Sequence, residues 1–579
     1  MSQLDWIVLI VTLLTIISYG LYKSRTSHNL EGYFLSNRSL PWGMVLLSIM
    51  GTQASAITFL SAPGQAYTDG MRFVQYYFGI PLAMVVICIF FVPIFRRLNV
   101  YTAYEYLENR FDGKTRTLTS LLFFLQRGLS TGISVFAPSI ILSSLLGWNI
   151  YWTNLFMGGL LIIYTMTGGA KAVAYTQQLQ LIIIFIGMFL AGYMVVNMLP
   201  HNVSFTDALQ VSGKLGRLNA ITTGVTDKGF NWSDQYNIYS GIIGGFFLAL
   251  SYFGTDQSQV GRYLTAKSLR ESRMGLLMNG IVKVPMQFLI LLIGALVFTF
   301  YQFNSAPIFF NEVQLQKIEQ SAYKDSFAIV NQQYNAIAVQ KKQAVVAYTT
   351  ANDNGDKVLA AASLEQLQSL QKTSDSLRKT VKGWLDKKIK GGDGNDTNYI
   401  FLRFVVDHLP VGLVGLLIAI IFLASWGSIA AAINSLASCS MIDLHRRFTR
   451  NKDSNEDEYR LSKLYTLGWG IFCIVVAMFT YNVGNSLIEA VNILGSLFYG
   501  VILGVFLIAF FFKNIRNSDA VFWGAICAEL LVLGVFILTK LNPPVFKMGF
   551  LWLNPIGAFG VIFFTLLFNK VLAKKDSPI

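Results

Sequence analysis

The chain has 579 residues, 54% hydrophobic and 14% aromatic, and only 13% of them are charged, roughly half the share found in soluble proteins. That balance excludes a water-soluble globular protein. The net charge of +14 invites a nucleic-acid reading, but the bases stand in short clusters (Arg96-Arg97, Arg262 to Arg273, His445 to Lys463, Lys570 to Lys575), and alternate loops are nearly free of them. This is the positive-inside pattern of cytoplasmic loops, so a lipid bilayer and no nucleic acid is the expected partner.

In chain order, apolar runs of roughly 18–25 residues predict about thirteen transmembrane helices, since helices alone hide their backbone from lipid economically. They fall near 4–22, 41–68, 73–95, 117–146, 150–167, 176–200, 237–258, 275–302, 405–438, 463–482, 487–512, 519–540 and 549–569. The first is preceded by an acid, Asp5, and no base, and no small-residue cleavage site follows, so it reads as a span and not a signal peptide. With the N-terminus outside, parity places each basic cluster, and the C-terminus, in the cytoplasm. A multi-pass cell-membrane protein, of a bacterial inner membrane, is expected.

One segment breaks the pattern. Residues 303–398 are polar and lie outside by parity, with helix-favouring composition at Val313 to Thr350 and Ala361 to Lys388 and a turn signal at Asn352 to Asp356. An external helical hairpin is expected. A bland insertion is favoured over a protein-partner site. The four cysteines fall inside apolar runs and imply no disulfide framework, and the four histidines show no metal-ligand spacing.

Two spans are interrupted by small and polar residues. The second carries Gly51-Thr52-Gln53-Ala54-Ser55 and then Ala62-Pro63-Gly64. The seventh carries Gly244-Gly245 and then Gly254-Thr255-Asp256-Gln257. Breaks in matching places, five spans apart, are the mark of an inverted-repeat transporter whose unwound backbone frees carbonyls for a cation. Packing glycines are the plainer alternative. Ionisable residues at membrane depth point to function: Arg127 in the fourth span, Lys283 in the eighth and Glu489 in the eleventh. Lys283 and Glu489 read equally well as snorkelling at span ends. Arg127 lies about 15 Å into its helix and needs an anion, a substrate carboxylate ahead of a structural partner. Gln53, Ser55 and Thr58 form a polar cluster, and Ala424-Ser425-Trp426-Gly427-Ser428 offers carbonyls and hydroxyls of the kind hard cations prefer.

The runs Tyr101-Thr102-Ala103-Tyr104-Glu105-Tyr106-Leu107-Glu108-Asn109-Arg110-Phe111, Ala137-Pro138-Ser139, and Gly168-Gly169-Ala170-Lys171-Ala172-Val173-Ala174-Tyr175-Thr176 resemble the sodium:solute symporter family, nearest its multivitamin, monocarboxylate and iodide branch. The resemblance implies an all-α membrane protein with a LeuT-like core. In it, residues 41–200 form the first inverted repeat and 237–512 the second, the latter interrupted at 303–398. Residues 1–40 add one helix before the core and 513–579 two after it. It implies a sodium site from Gly51 and Ala54 on one side and Ala424, Gly427 and Ser428 on the other. Gly427 stands where a hydroxyl residue is usual, so Ser428 or a water has to compensate. A second sodium in some members uses an Asp where this chain has Gln177, and hydroxyl residues where it has Ala430 and Ala431; one sodium is therefore expected. For substrate the resemblance implies Gln53, Ser55, Thr58, Tyr76, Tyr77, Arg127, Tyr252 and Asn492, with Ser55-Ala56-Ile57-Thr58 and Arg127 most like the sialic acid members. The expectation is a sodium-driven importer of an organic anion, a sugar acid or monocarboxylate. A neutral sugar or polyol and, from another class, a transporter-like sensor are the alternatives. No enzyme is expected, since no nucleophile–base pair, metal cluster or phosphate loop stands out.

Overall fold

The computed structural model of the chain describes residues 1–24, 30–449, 455–480, 486–541 and 543–573. Arg25, the middle of the His445 to Lys463 cluster, the expected end of the tenth span and Lys574-Lys575 lie outside the described residues. Among the described residues, ten helices are long and apolar enough to cross a bilayer; the pair Trp42–Gln53 and Ala56–Asp69, bent by 61° at its break, makes another span, and the shorter apolar helices Ile150–Met166 and Ser240–Thr255 complete the expected set. The first span is Gln3–Ser24, the third Met71–Leu98, the fourth Gly113–Leu146 and the eighth Leu269–Phe303. Leu413–Cys439, Asn455–Phe479, Leu487–Phe511, Ser518–Lys540 and Leu553–Ala573 are the ninth to thirteenth.

The core is LeuT-like. Because each repeat contains five spans, an odd number, the chain enters the second repeat from the opposite side of the bilayer, and equivalent helices run in opposite directions. The second and seventh spans, first in their repeats, are both broken: at Ala54-Ser55 and at Asp256 the backbone is extended. The ninth span is the central post, with nearly all of its residues buried. Close approach here depends on glycine. A methyl on Gly64 would lie 1.9 Å from the Thr397 carbonyl oxygen, and one on Gly294 would lie 2.1 Å from that of Pro63, so the eighth span presses directly on the outer half of the broken helix.

Three expectations need correction. The fifth and sixth spans are not separated by a loop: helix runs from Ile150 to Asn197. It is sharply bent all the same, because Tyr164 and Thr176 share a hydrogen bond, whereas twelve residues of straight helix would hold them about 18 Å apart. The expected ninth span at 405–438 is two elements. Pro410 and the positive φ of Gly412 end a separate helix, Thr397–His408, before Leu413 begins the span. Lys283 is not near a span end. Its helix begins at Leu269, so it lies about 21 Å in and is fully buried. Glu489, in the first turn of its helix, is at an end.

The 303–398 segment forms three helices, Glu312–Glu319, Lys324–Asp353 and Lys357–Lys388, with the turn at Asn354–Asp356 where expected. It has its own small core, centred on Phe309, Phe327, Tyr334 and Leu385. Asn352 and Gln368 bind Gln210 and Lys214 of the outer helix Phe205–Lys214. At its root Asp396 is buried between Arg378 and Lys382, each at 2.7 Å. Burial alone would raise this carboxyl, but the two cations outweigh it and hold its pKa below the usual value. A depressed carboxyl adds stability above its unfolded pKa of about 4 and loses it as pH falls through the folded value. Asp396→Asn is therefore expected to destabilise the protein by about 2 kcal/mol at neutral pH. In thermal unfolding at acid pH, the gap from wild type should close; a constant gap would assign it to packing instead.

Candidate functional site

The two broken helices face each other across the middle of the molecule. Helix Trp42–Gln53 stops where Ala54 and Ser55 turn extended, so the carbonyls of Gly51 to Gln53 lose the N–H groups a continuing helix would send them. Met50 alone is repaid, by the Ala54 N–H at 2.7 Å. In the seventh span Asp256 stands at the equivalent break. Its carboxylate caps the helix Gln257–Leu264 by accepting from Ser258 N at 2.7 Å.

Between these breaks lies a cavity of about 120 Å³, well above the roughly 10–15 Å³ needed to hold one water. Gln53, Ser55, Thr58, Tyr76, Tyr77, Arg127, Tyr252 and Asn492 all line it, and so does Ser428. Thr131, Ser134, Gln126 and Tyr499 line it too and were not singled out in the sequence; hydroxyl and amide residues on apolar helices are too common to flag them. Tyr76 reaches across to Asn492, hydroxyl to amide oxygen, at 3.4 Å, and meets the edge of Tyr77 with ring centroids 4.8 Å apart. Arg127 is the one charged side chain among the described residues lining the cavity.

The anion that a buried guanidinium requires is present in the chain itself. Arg127 Nε lies 3.5 Å from Asp256 Oδ2, its terminal nitrogen donates to Ser258 Oγ, and its plane lies over the Tyr252 ring at 5.4 Å. Asp256 in turn accepts from the Tyr499 hydroxyl at 2.6 Å. Arg127, Tyr252 and Tyr499 of this group line the cavity. Below it the Tyr101 to Phe111 run acts as a clamp: the Tyr104 hydroxyl donates to the Thr255 carbonyl at 2.9 Å, and Gln257 bonds the backbone at Tyr101 and Ala103. Asp256 was legible as an acid within a broken span, but its carboxylate was passed over for the backbone beside it.

The cation-ligand candidates lie to one side. Gly51, Ala54, Ala424 and Gly427 pack between the broken second span, the sixth and the ninth, and only Ser428 reaches the cavity. The Ser428 hydroxyl donates to the Ser425 carbonyl at 3.0 Å, which leaves its oxygen lone pairs available. A methyl on Gly427 would lie 2.5 Å from Gln180 Oε1, the far end of a flexible side chain that can move aside. The Gly427 carbonyl is engaged by Gln177, whose Nε2 donates to Gly427 O at 3.0 Å and Thr52 Oγ1 at 3.2 Å, while its Oε1 accepts from Ser48 Oγ at 2.8 Å. One buried amide thus ties the broken helix to the central post.

The comparisons with known proteins agree with this architecture. A model of the sodium:solute symporter family matches residues 33–323 and 381–528; the unmatched stretch between them is most of the helices Lys324–Asp353 and Lys357–Lys388. The sodium/sialic acid symporter SiaT of Proteus mirabilis is 24% identical over 567 residues, 96% of this chain and 93% of that protein. The sodium-coupled monocarboxylate transporter 1 of Xenopus laevis is 24% identical over 530 residues, 89% of this chain and 69% of that protein. A solved structure of a Na+-coupled sialic acid symporter, in a substrate-bound outward-open state, superposes with a TM-score of 0.73 at 22% identity and 98% coverage of both chains; at that identity it speaks to the fold alone.

Proposed function

The chain belongs to the sodium:solute symporter family, and from that premise we propose that it imports a small organic anion together with one sodium ion by alternating access. The observation that carries the anion reading is the cavity's charge: among polar uncharged and aromatic walls, Arg127 supplies a single positive group. Its contact to Asp256 is long for a charge-assisted hydrogen bond, at 3.5 Å, so a ligand carboxylate can compete for the guanidinium from the cavity side. The sialic acid and monocarboxylate specificities of the relatives are of this chemical class.

Gln53, Ser55, Thr58, Tyr76, Tyr77, Tyr252 and Asn492 supply the remaining substrate contacts in this reading. Sodium is held by the carbonyls of Gly51, Ala54, Ala424 and Gly427 with the Ser428 hydroxyl. Its binding fixes the broken helix against the ninth span, which pre-organises Ser55 and Thr58 for substrate. Occupancy of both sites favours closure outside and release inside, as residues 41–200 rock against 237–512. The stoichiometry of one rests on Gln177, whose neutral amide fills the place a second cation would need.

The energetics make the reading testable. A tenfold sodium gradient supplies about 1.4 kcal/mol. A membrane potential adds about 2.3 kcal/mol per 100 mV only for net charge moved. Uptake of sialic acid or a monocarboxylate into proteoliposomes should follow an inward sodium gradient and ignore an imposed potential. Arg127→Lys keeps the charge but loses the planar fork, and is expected to weaken binding of a carboxylate about tenfold. Current during uptake of a neutral sugar, with affinity unchanged in Arg127→Lys, would establish the neutral-substrate alternative.

A further inference from the structure

Asn279, Lys283 and Gln287 stand four residues apart in the eighth span and so share one face of it. All three are fully buried. Lys283 Nζ, Asn279 Oδ1 and both polar atoms of the Gln287 amide have no hydrogen-bond partner. A weak contact from Asn279 Nδ2 to Met84 Sδ, 4.0 Å, is the only polar link of this stripe among the described residues. The Tyr77 ring lies 5.7 Å from Lys283 Nζ, and Tyr77 also lines the central cavity, whereas Lys283 does not.

An ammonium buried without a partner is far more costly than a neutral amine, so a proton taken up by Lys283 has to be solvated by its neighbours. The surroundings of Lys283 are those of a cation: two amide oxygens with nothing to accept from, one turn away on either side, and an aromatic face. Titratable groups on the packed elements are otherwise engaged or distant. Arg72 pairs with Asp69 and Asp234 at the outer end, Cys88 bonds the Arg273 carbonyl, and Arg96 bonds Ala266 at the inner end. Tyr67 lies among the outer aromatics and Tyr263 among the inner helix Gln257–Leu264. Among the described residues, no carboxylate pairs with Lys283. A site with cation-solvating groups, an amine and no fixed negative charge suits a proton; a hard metal ion prefers several oxygens and anionic ligands.

We propose that Lys283 is an internal proton-binding site of the transport cycle. The neutral amine takes a proton from hydronium reaching it through the central cavity past Tyr77, releasing water. The resulting ammonium is solvated by the Asn279 and Gln287 amide oxygens and later returns the proton to water. Because the eighth span that carries the stripe also packs, at Gly294, on Pro63 of the broken helix, to which the proposed function assigns sodium, occupancy of the two sites is linked.

The test counts protons directly and needs no substrate. Purified full-length protein in weak buffer is acidified from about pH 9 to about pH 6, a range in which ordinary lysines stay charged. Wild type should take up about one more proton per chain than Lys283→Met or the permanently charged Lys283→Arg. Asn279→Leu with Gln287→Leu should move that uptake to lower pH, requiring about tenfold more protons. Replacing potassium by sodium should shift the midpoint. Equal proton counts in wild type and Lys283→Met overturn the site, and a midpoint indifferent to sodium overturns its place in the cycle. Should Lys283→Met fail to fold, Lys283→Arg carries the count. A second readout is the slope of thermal stability: a lysine protonated unfolded and neutral folded makes stability rise with pH, and that rise should vanish in Lys283→Met.

Discussion

Asp256→Ala is expected to cost about 3–5 kcal/mol of stability, because it strands the Arg127 guanidinium at membrane depth without a counter-charge. Three other interactions go with it: the Ser258 cap, the Tyr499 hydroxyl at 2.6 Å and, through them, the seat of Arg127 over Tyr252. These act on one carboxylate, so their costs do not add. The measurement is the thermal midpoint of the purified variant, with its monodisperse yield. Adding Arg127→Met to Asp256→Ala should recover at least about half of the loss, since apolar replacement of a buried pair is often near neutral. A double variant no more stable than Asp256→Ala alone would show that the carboxylate matters as a helix cap and not as the partner of Arg127. The distinction bears on transport. If Arg127 is held by Asp256 at rest, the carboxylate of the proposed substrate has to compete with an internal acid for the guanidinium.

The bilayer made most of this architecture legible in the sequence. Span lengths, basic clusters and interrupted apolar runs are all imposed by lipid, and they led to the thirteen spans and the two breaks. The residues proposed for substrate came together at one cavity because family motifs carried their positions, which periodicity could not. What stayed hidden depended on where helices begin and on who faces whom. The span-end alternative for Lys283 arose because the apolar run starts at Gly275, while the helix starts six residues earlier, in a polar first turn capped by Ser268. The separate helix Thr397–His408 merged with the ninth span because Leu409, Val411 and Leu413 look continuous, and Pro410 with Gly412 decide the matter. The pairing of Arg127 with Asp256 joins residues 129 apart in sequence, a separation at which no local pattern speaks.

Gln177→Glu is expected to make the protein's stability depend on sodium. The substitution keeps the shape and keeps the Ser48 hydroxyl bond, but it turns a donor into an anionic oxygen facing the Gly427 carbonyl at 3.0 Å. Buried like that, a carboxylate without a cation costs several kcal/mol, so in choline or potassium the variant should melt well below wild type. Sodium can occupy the gap between the new carboxylate, Gly427 O and Thr52 Oγ1, oxygens of the kind it prefers. Binding to the folded state alone stabilises by about 2.7 kcal/mol at a hundredfold excess over Kd, so the melting temperature should climb with sodium more steeply than wild type. Gln177→Leu is the control: it loses the bridge between the broken helix and the ninth span, and with it stability, but gains no added sodium response. If Gln177→Glu responds to sodium just as wild type does, the amide does not stand in a cation's place, and the single-ion stoichiometry loses its structural basis. If the response appears, uptake should also become electrogenic with an organic anion, because a second sodium then moves against one negative charge.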